Sequence, residues 1–101
     1  MIVRLWKGHT SAANAVVYET HITQRIFPAL RGIDGYVGAR LLRRESGDEV
    51  EFLVLTEWTS WEAIRVFAGE DPGAAVIEPA ARAVLTHADE HVSHYELAAA
   101  D

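Results

Sequence analysis

The chain has 101 residues, half of them hydrophobic, which is enough for one domain with a real core. No apolar run is long enough to span a bilayer, MIVRLWKG runs directly into what reads as a strand with no signal-peptide cleavage pattern, and the absence of cysteine excludes disulfides and cysteine nucleophiles. The formal charge is −6, and the nine Lys and Arg are scattered, only Arg43 and Arg44 being adjacent, so there is no electrostatic footprint for nucleic acid. The expectation is a cytoplasmic protein with neither a nucleic-acid nor a membrane partner.

Ile2 to Lys7 alternates as a first strand, with Val3 and Leu5 on one face and Ile2, Arg4 and Trp6 on the other. Gly8 to Thr10 reads as a turn. From Ser11, its expected cap, a helix follows in which Ala15, Tyr18, Ile22, Ile26 and Ala29 make one apolar stripe. Pro28 lacks the amide a helix interior needs and should loosen the helix, which Gly32 and Gly35 end. Tyr36 to Arg44 and Glu49 to Trp58 form two strands joined by the polar turn ESGDE, a hairpin. In the second of these strands Val50, Phe52, Val54, Thr56 and Trp58 face one side, and Glu51, Leu53, Leu55 and Glu57 the other. Both sides are partly apolar, so each needs a cover.

Thr59 and Glu62 have capping-box spacing for a helix over Thr59 to Phe67. The AGEDPG run breaks that helix, Asp71–Pro72 predicts a short helical turn, and Glu78–Pro79 starts another helix over Ala80 to His87. His91 to Leu97 alternates as a last strand, and 98–101 is a frayed tail, so the domain spans 1–97. The order is βαββαβ, an α+β, ferredoxin-like arrangement with a four-stranded antiparallel sheet and both helices on one face. The other sheet face is left bare, and a second copy packed on it would form a homodimer.

The residues R-x-W-x-G at Arg4, Trp6 and Gly8, W-x-S-x-E-A at Trp58 to Ala63, I-x-x-F-A-G at Ile64 to Gly69, and H-Y-E at His94 to Glu96 resemble the antibiotic biosynthesis monooxygenase domain family. That resemblance covers nearly the whole chain and implies a dimeric α+β barrel. The activities it implies are a cofactor-independent oxygenase of electron-rich, quinol-like aromatic molecules or a haem-degrading enzyme. A non-catalytic dimeric module that binds a hydrophobic molecule is the third reading.

A cofactor-free oxygenase must take a proton from its substrate, stabilise the anion and exclude water. His21, one helical turn from Tyr18, is the candidate base, and Arg4 the candidate anion stabiliser. Trp6, Tyr18, Phe52, Trp58 and Phe67 are the candidate substrate walls, although large aromatic side chains are more often core packing. His94 faces either the pocket or the dimer seam. No histidine pair has ligand spacing for a metal, since His91 and His94 fall on opposite strand faces, and no cofactor is expected. The haem reading would use Trp58 against the porphyrin and His87 on the iron; the asparagine that haem-degrading relatives carry on the first strand is absent from RLWKGH.

Overall fold

The computed structural model describes all 101 residues. Its elements are β1 (Ile2–Ser11), α1 (Ala15–His21), a π-helical turn (Ile22–Ile26), α2 (Phe27–Leu30), β2 (Tyr36–Ser46), β3 (Glu49–Trp58), α3 (Trp61–Ala68), α4 (Pro79–Arg82), β4 (Leu85–Ala88) and β5 (Ser93–Glu96). The sheet is antiparallel in the order β2-β3-β1, with β4 and β5 both on the far side of β1. β4 pairs with Gly8–Thr10 and β5 with Ile2–Leu5, so the two are halves of one interrupted fourth strand. The α+β ferredoxin-like topology expected from the sequence is the one observed.

Several local expectations are corrected. Gly8 to Thr10 is strand rather than turn, because β3 is long enough to pair with β1 as far as Ser11↔Glu49. The cap of α1 is Asn14, while the Ser11 hydroxyl accepts a bond from the Asn14 amide just outside the helix. Ser60, not Thr59, caps α3, its hydroxyl accepting from the Ala63 amide at 3.2 Å. Asp71–Pro72 opens no helix; the Asp71 carboxylate accepts from the Gly73 amide and makes a tight turn instead. The helix expected over Ala80 to His87 stops after α4, and Leu85–Ala88 joins the sheet edge as β4. His91 leaves the sheet to bridge to Ala74, which is why β5 starts only at Ser93.

Pro28 acts upstream of itself. With no N–H at 28 and a ring that crowds the preceding turn, the chain widens into the π turn, where the Phe27 amide donates to the Ile22 carbonyl five residues back. The Thr23 hydroxyl also donates to the Glu19 carbonyl. The extra residue in this turn shifts the apolar stripe by one position, so that Leu30 is buried where Ala29 was expected.

Helices and sheet bury two adjoining clusters. One gathers Ala15, Tyr18 and Ile22 over Val50 and Phe52; the other gathers Leu30, Ala63 and Ile64 over Trp58. On the opposite sheet face Val3, Leu5, Leu53 and Leu55 are only half-buried, Leu42 is 46% exposed and Tyr95 60% exposed. Glu51 on that face is nevertheless buried, held by Arg44 at 2.8 Å and His9 at 3.4 Å.

Candidate functional site

A cleft lies between the inner sheet face and the first helix, lined by 15 residues, 11 of them hydrophobic. β1 contributes Arg4 and Trp6, β3 contributes Val54 and Thr56, and the first helix contributes Tyr18, His21, Ile22, Ile26 and Leu30. α3 adds Phe67. One side of the cleft is bordered by a segment, here called the lid, that sequence reasoning missed: Val76, Ile77 and Glu78, with Val92 from the segment that interrupts the fourth strand. The signal was legible in part, as an apolar pair trapped between two helix breakers, Pro72 and Pro79.

Alternation on β1 sends Arg4, Trp6 and Gly8 to the same face. The Trp6 ring lies across Gly8, its Nε1–H donates to the Asp89 carbonyl at 2.7 Å, and it faces Tyr18 at 6.2 Å between ring centroids. Tyr18 also packs on Phe52 at 4.9 Å, and burial raises its phenol well above the usual range, so it stays neutral. His21, at the end of α1, puts Nε2 into this wall with no hydrogen-bond partner and no solvent contact. An unpaired buried nitrogen is costly, and a ligand's hydroxyl would relieve it.

Arg4 is 4% exposed, and its guanidinium lies 5.7 Å from the Phe67 ring centroid. Its Nη1 donates to the Pro72 carbonyl and meets His94 Nε2 at 3.1 Å, and its Nη2 donates to the Ala74 carbonyl at 2.8 Å. Desolvation pushes its pKa down to about 10, opposed by the Asp71 carboxylate; it remains a cation at neutral pH. His94 lines neither the pocket nor the outer sheet face. It borders a separate cleft at the sheet's end with Trp61, whose ring centroid lies 4.8 Å away.

Of the residues expected to meet, Arg4, Trp6, Tyr18, His21 and Phe67 do line one cavity. Phe52 and Trp58 do not. Both are fully buried behind it, Trp58 stacking on Phe67 at 5.8 Å and donating to the Thr56 hydroxyl at 2.8 Å. They set the position of the wall without touching its contents. The cleft leaves about 60 Å³ for water-sized molecules, less than the roughly 150 Å³ of a cavity that accepts benzene.

The residues do not fit haem as the sequence suggested. His87 lies on β4 opposite His9, with its side chain 67% exposed at the sheet edge and outside the cleft. Trp58 is sealed in the core. No group of three or more His, Asp or Glu side chains has the geometry to hold a metal ion.

Fold and cleft together define a ferredoxin-like α+β domain with a lidded apolar pocket. No protein-family model and no curated protein sequence matches the chain. Among solved structures, it is similar to the haem-degrader MhuD of Mycobacterium tuberculosis, solved with two haems bound in its active site: TM-score 0.67, 24% identity, 100% of this chain and 99% of that one covered. It is also similar to a mutant of SnoaB, a cofactor-independent oxygenase from Streptomyces nogalater, with TM-score 0.67, 18% identity, and 98% and 95% covered. A Bacillus cereus protein assigned by its name to the antibiotic biosynthesis monooxygenases has TM-score 0.65 at 12% identity, with 100% and 94% covered. The chain therefore shares its fold with these three structures over nearly its whole length.

Proposed function

We propose that the protein is a cofactor-independent monooxygenase of a small electron-rich phenol or quinol-like aromatic molecule, bound under the lid, and that it works as a homodimer joined through its outer sheet faces. The observation that carries this is the orphaned Nε2 of His21 in an otherwise apolar wall. A substrate hydroxyl would donate to that nitrogen and pass its proton to it, leaving a phenolate rich enough in electrons to reduce dioxygen. In the overall step a ring C–H para to the phenol, or ortho to it where the para position already carries a hydroxyl, becomes a carbonyl with one oxygen atom. The other oxygen leaves as water with the two substrate hydrogens, and the four electrons come from the substrate. Trp6, Tyr18 and Phe67 are the walls that exclude water. Arg4 adds a fixed positive charge beside them, and because its donors go largely to lid carbonyls it acts on the anion through space. The SnoaB likeness supports this chemistry, and the half-exposed leucines of the outer face support the dimer.

The test is oxygen uptake with a panel of hydroquinones and anthrone-like phenols. Uptake should occur without added metal or flavin and persist with chelator, and His21→Ala should lower kcat by about 10²- to 10⁴-fold with the fold intact. Unchanged turnover in that variant removes His21 from the mechanism. Silence across the panel, with binding of apolar dyes retained, would leave a non-catalytic binding module. A saturable Soret shift on adding haemin, lost in His21→Ala, would replace the phenol by haem.

A further inference from the structure

The lid belongs to two segments, residues 71–78 and 89–92, that bond to each other as well as to the sheet. The Ala75 amide donates to the Glu90 carbonyl at 2.9 Å, the Val92 amide to the Gly73 carbonyl at 2.9 Å, and Ala74 bridges to His91 between them. Arg82 grips Glu90 through two bonds of 3.1 and 3.0 Å, tying α4 to the same unit. Two side chains of β1 fasten it to the sheet: Trp6 through Asp89, and Arg4 through Pro72 and Ala74. The space beside the lid is too small for an aromatic ring, so the cleft must widen to admit one, and these fastenings govern the lid's share of that movement.

The Asp89 amide also donates to the Lys7 carbonyl at 3.1 Å, and of the two side-chain fastenings one can titrate. Arg4 is donor only, so His94 Nε2 must be its acceptor, which requires a neutral ring with the proton on Nδ1. The ring reaches water through its own cleft, bordered by Thr59, Trp61, Tyr95 and Glu96, with about 360 Å³ of space for water-sized molecules. Protons therefore arrive without passing the ligand pocket. We propose that Arg4 and His94 are a pH-sensitive latch: neutral His94 holds the guanidinium against the Pro72 and Ala74 carbonyls, and protonated His94 repels it and frees the lid.

The charged groups around His94 are Arg4 from β1, Met1 with its α-amino group on the rim of the same cleft, Glu96 on its own strand, and Asp71 of the lid, which acts through Arg4. The closed arrangement holds His94 below the ordinary histidine range, through desolvation first and the Arg4 charge second. With the lid open Arg4 loses the Pro72 and Ala74 carbonyls that hold it against His94, and His94 then binds the proton more tightly. Opening is therefore favoured as pH falls through the ordinary histidine range toward the closed-state value, and the latch is fully engaged above that range. The inference rests on the pocket being the ligand site, whatever reaction occurs there.

The test is hydrogen exchange of the Ala75 and Val92 amides in the full chain, corrected for intrinsic rates, between about pH 8 and about pH 5. Wild type should lose protection at these two amides as the pH falls. His94→Gln, which accepts from Arg4 but cannot be protonated there, should keep it, and Arg4→Gln should lack it at every pH. Acid loosening that persists unchanged in His94→Gln overturns the latch. Should that variant not fold, nitrogen NMR of wild-type His94 decides: an Nδ1–H tautomer near neutrality, titrating with the amides, upholds it, and an Nε2–H tautomer overturns it. Exchange is read without substrate, so a failed oxygen-uptake assay leaves this result untouched.

Discussion

A Cβ built on Gly8 would lie 2.2 Å from Trp6 Cη2, and the collision is with the body of an aromatic ring whose far edge is fixed by the Asp89 bond. Gly8→Ala should therefore unseat Trp6, cost about 1–3 kcal/mol and break the Trp6–Asp89 bond, which thermal denaturation and tryptophan fluorescence would register. The R-x-W-x-G spacing thus has a steric cause: the arginine and tryptophan need adjacent inward positions, and the ring needs a residue without a side chain beside it. Alternation along β1 identified Arg4 and Trp6 as sharing a face, and the helical period identified Tyr18 and His21 as neighbours. Period two also put Phe52 and Trp58 on the correct face. It could not tell a residue that lines the cavity from one a layer behind, because that depends on which rings lie above, and Phe67 and Tyr18 come from distant parts of the chain.

The elements were most readable where local chemistry decides their ends. The hairpin of β2 and β3 follows from two alternating runs around a polar turn, with Gly47 taking the positive φ that the turn demands. α3 was legible to within one residue: it starts after Ser60 because that hydroxyl reaches the Ala63 amide, so Ser60→Ala should lower stability by about 1 kcal/mol in urea titration, while Thr59→Ala should have the smaller effect. The second helical region was hardest. Ala80 to His87 has a plausible helical period, yet β1 offers an unpaired edge from Gly8 to Thr10, and satisfying those backbone groups outweighs a weak helical preference. The lid is held by long-range bonds, between backbones and from the side chains of Arg4, Trp6 and Arg82, which leave no periodic trace.

The whole molecule presents two different surfaces on its sheet, one covered by helices and one carrying Val3, Leu5, Leu53 and Leu55 toward solvent, with Glu51 screened among its partners. Arg44 holds the Glu51 carboxylate below its usual range, with His9 and Lys7 adding to the effect, so the charge survives on a surface that a second copy would cover. Sedimentation should therefore report a dimer at micromolar concentration, and Leu53→Arg should convert it to a folded monomer; a monomeric wild type would contradict the proposed assembly.

The break in the fourth strand has a consequence for how such a sheet survives at high concentration. A foreign strand approaching that border meets two stubs of four residues each, with the intervening backbone already committed to the lid. It can recruit no long, continuous ladder there. The same detour that closes the pocket blunts a site where the chain could otherwise template fibrils.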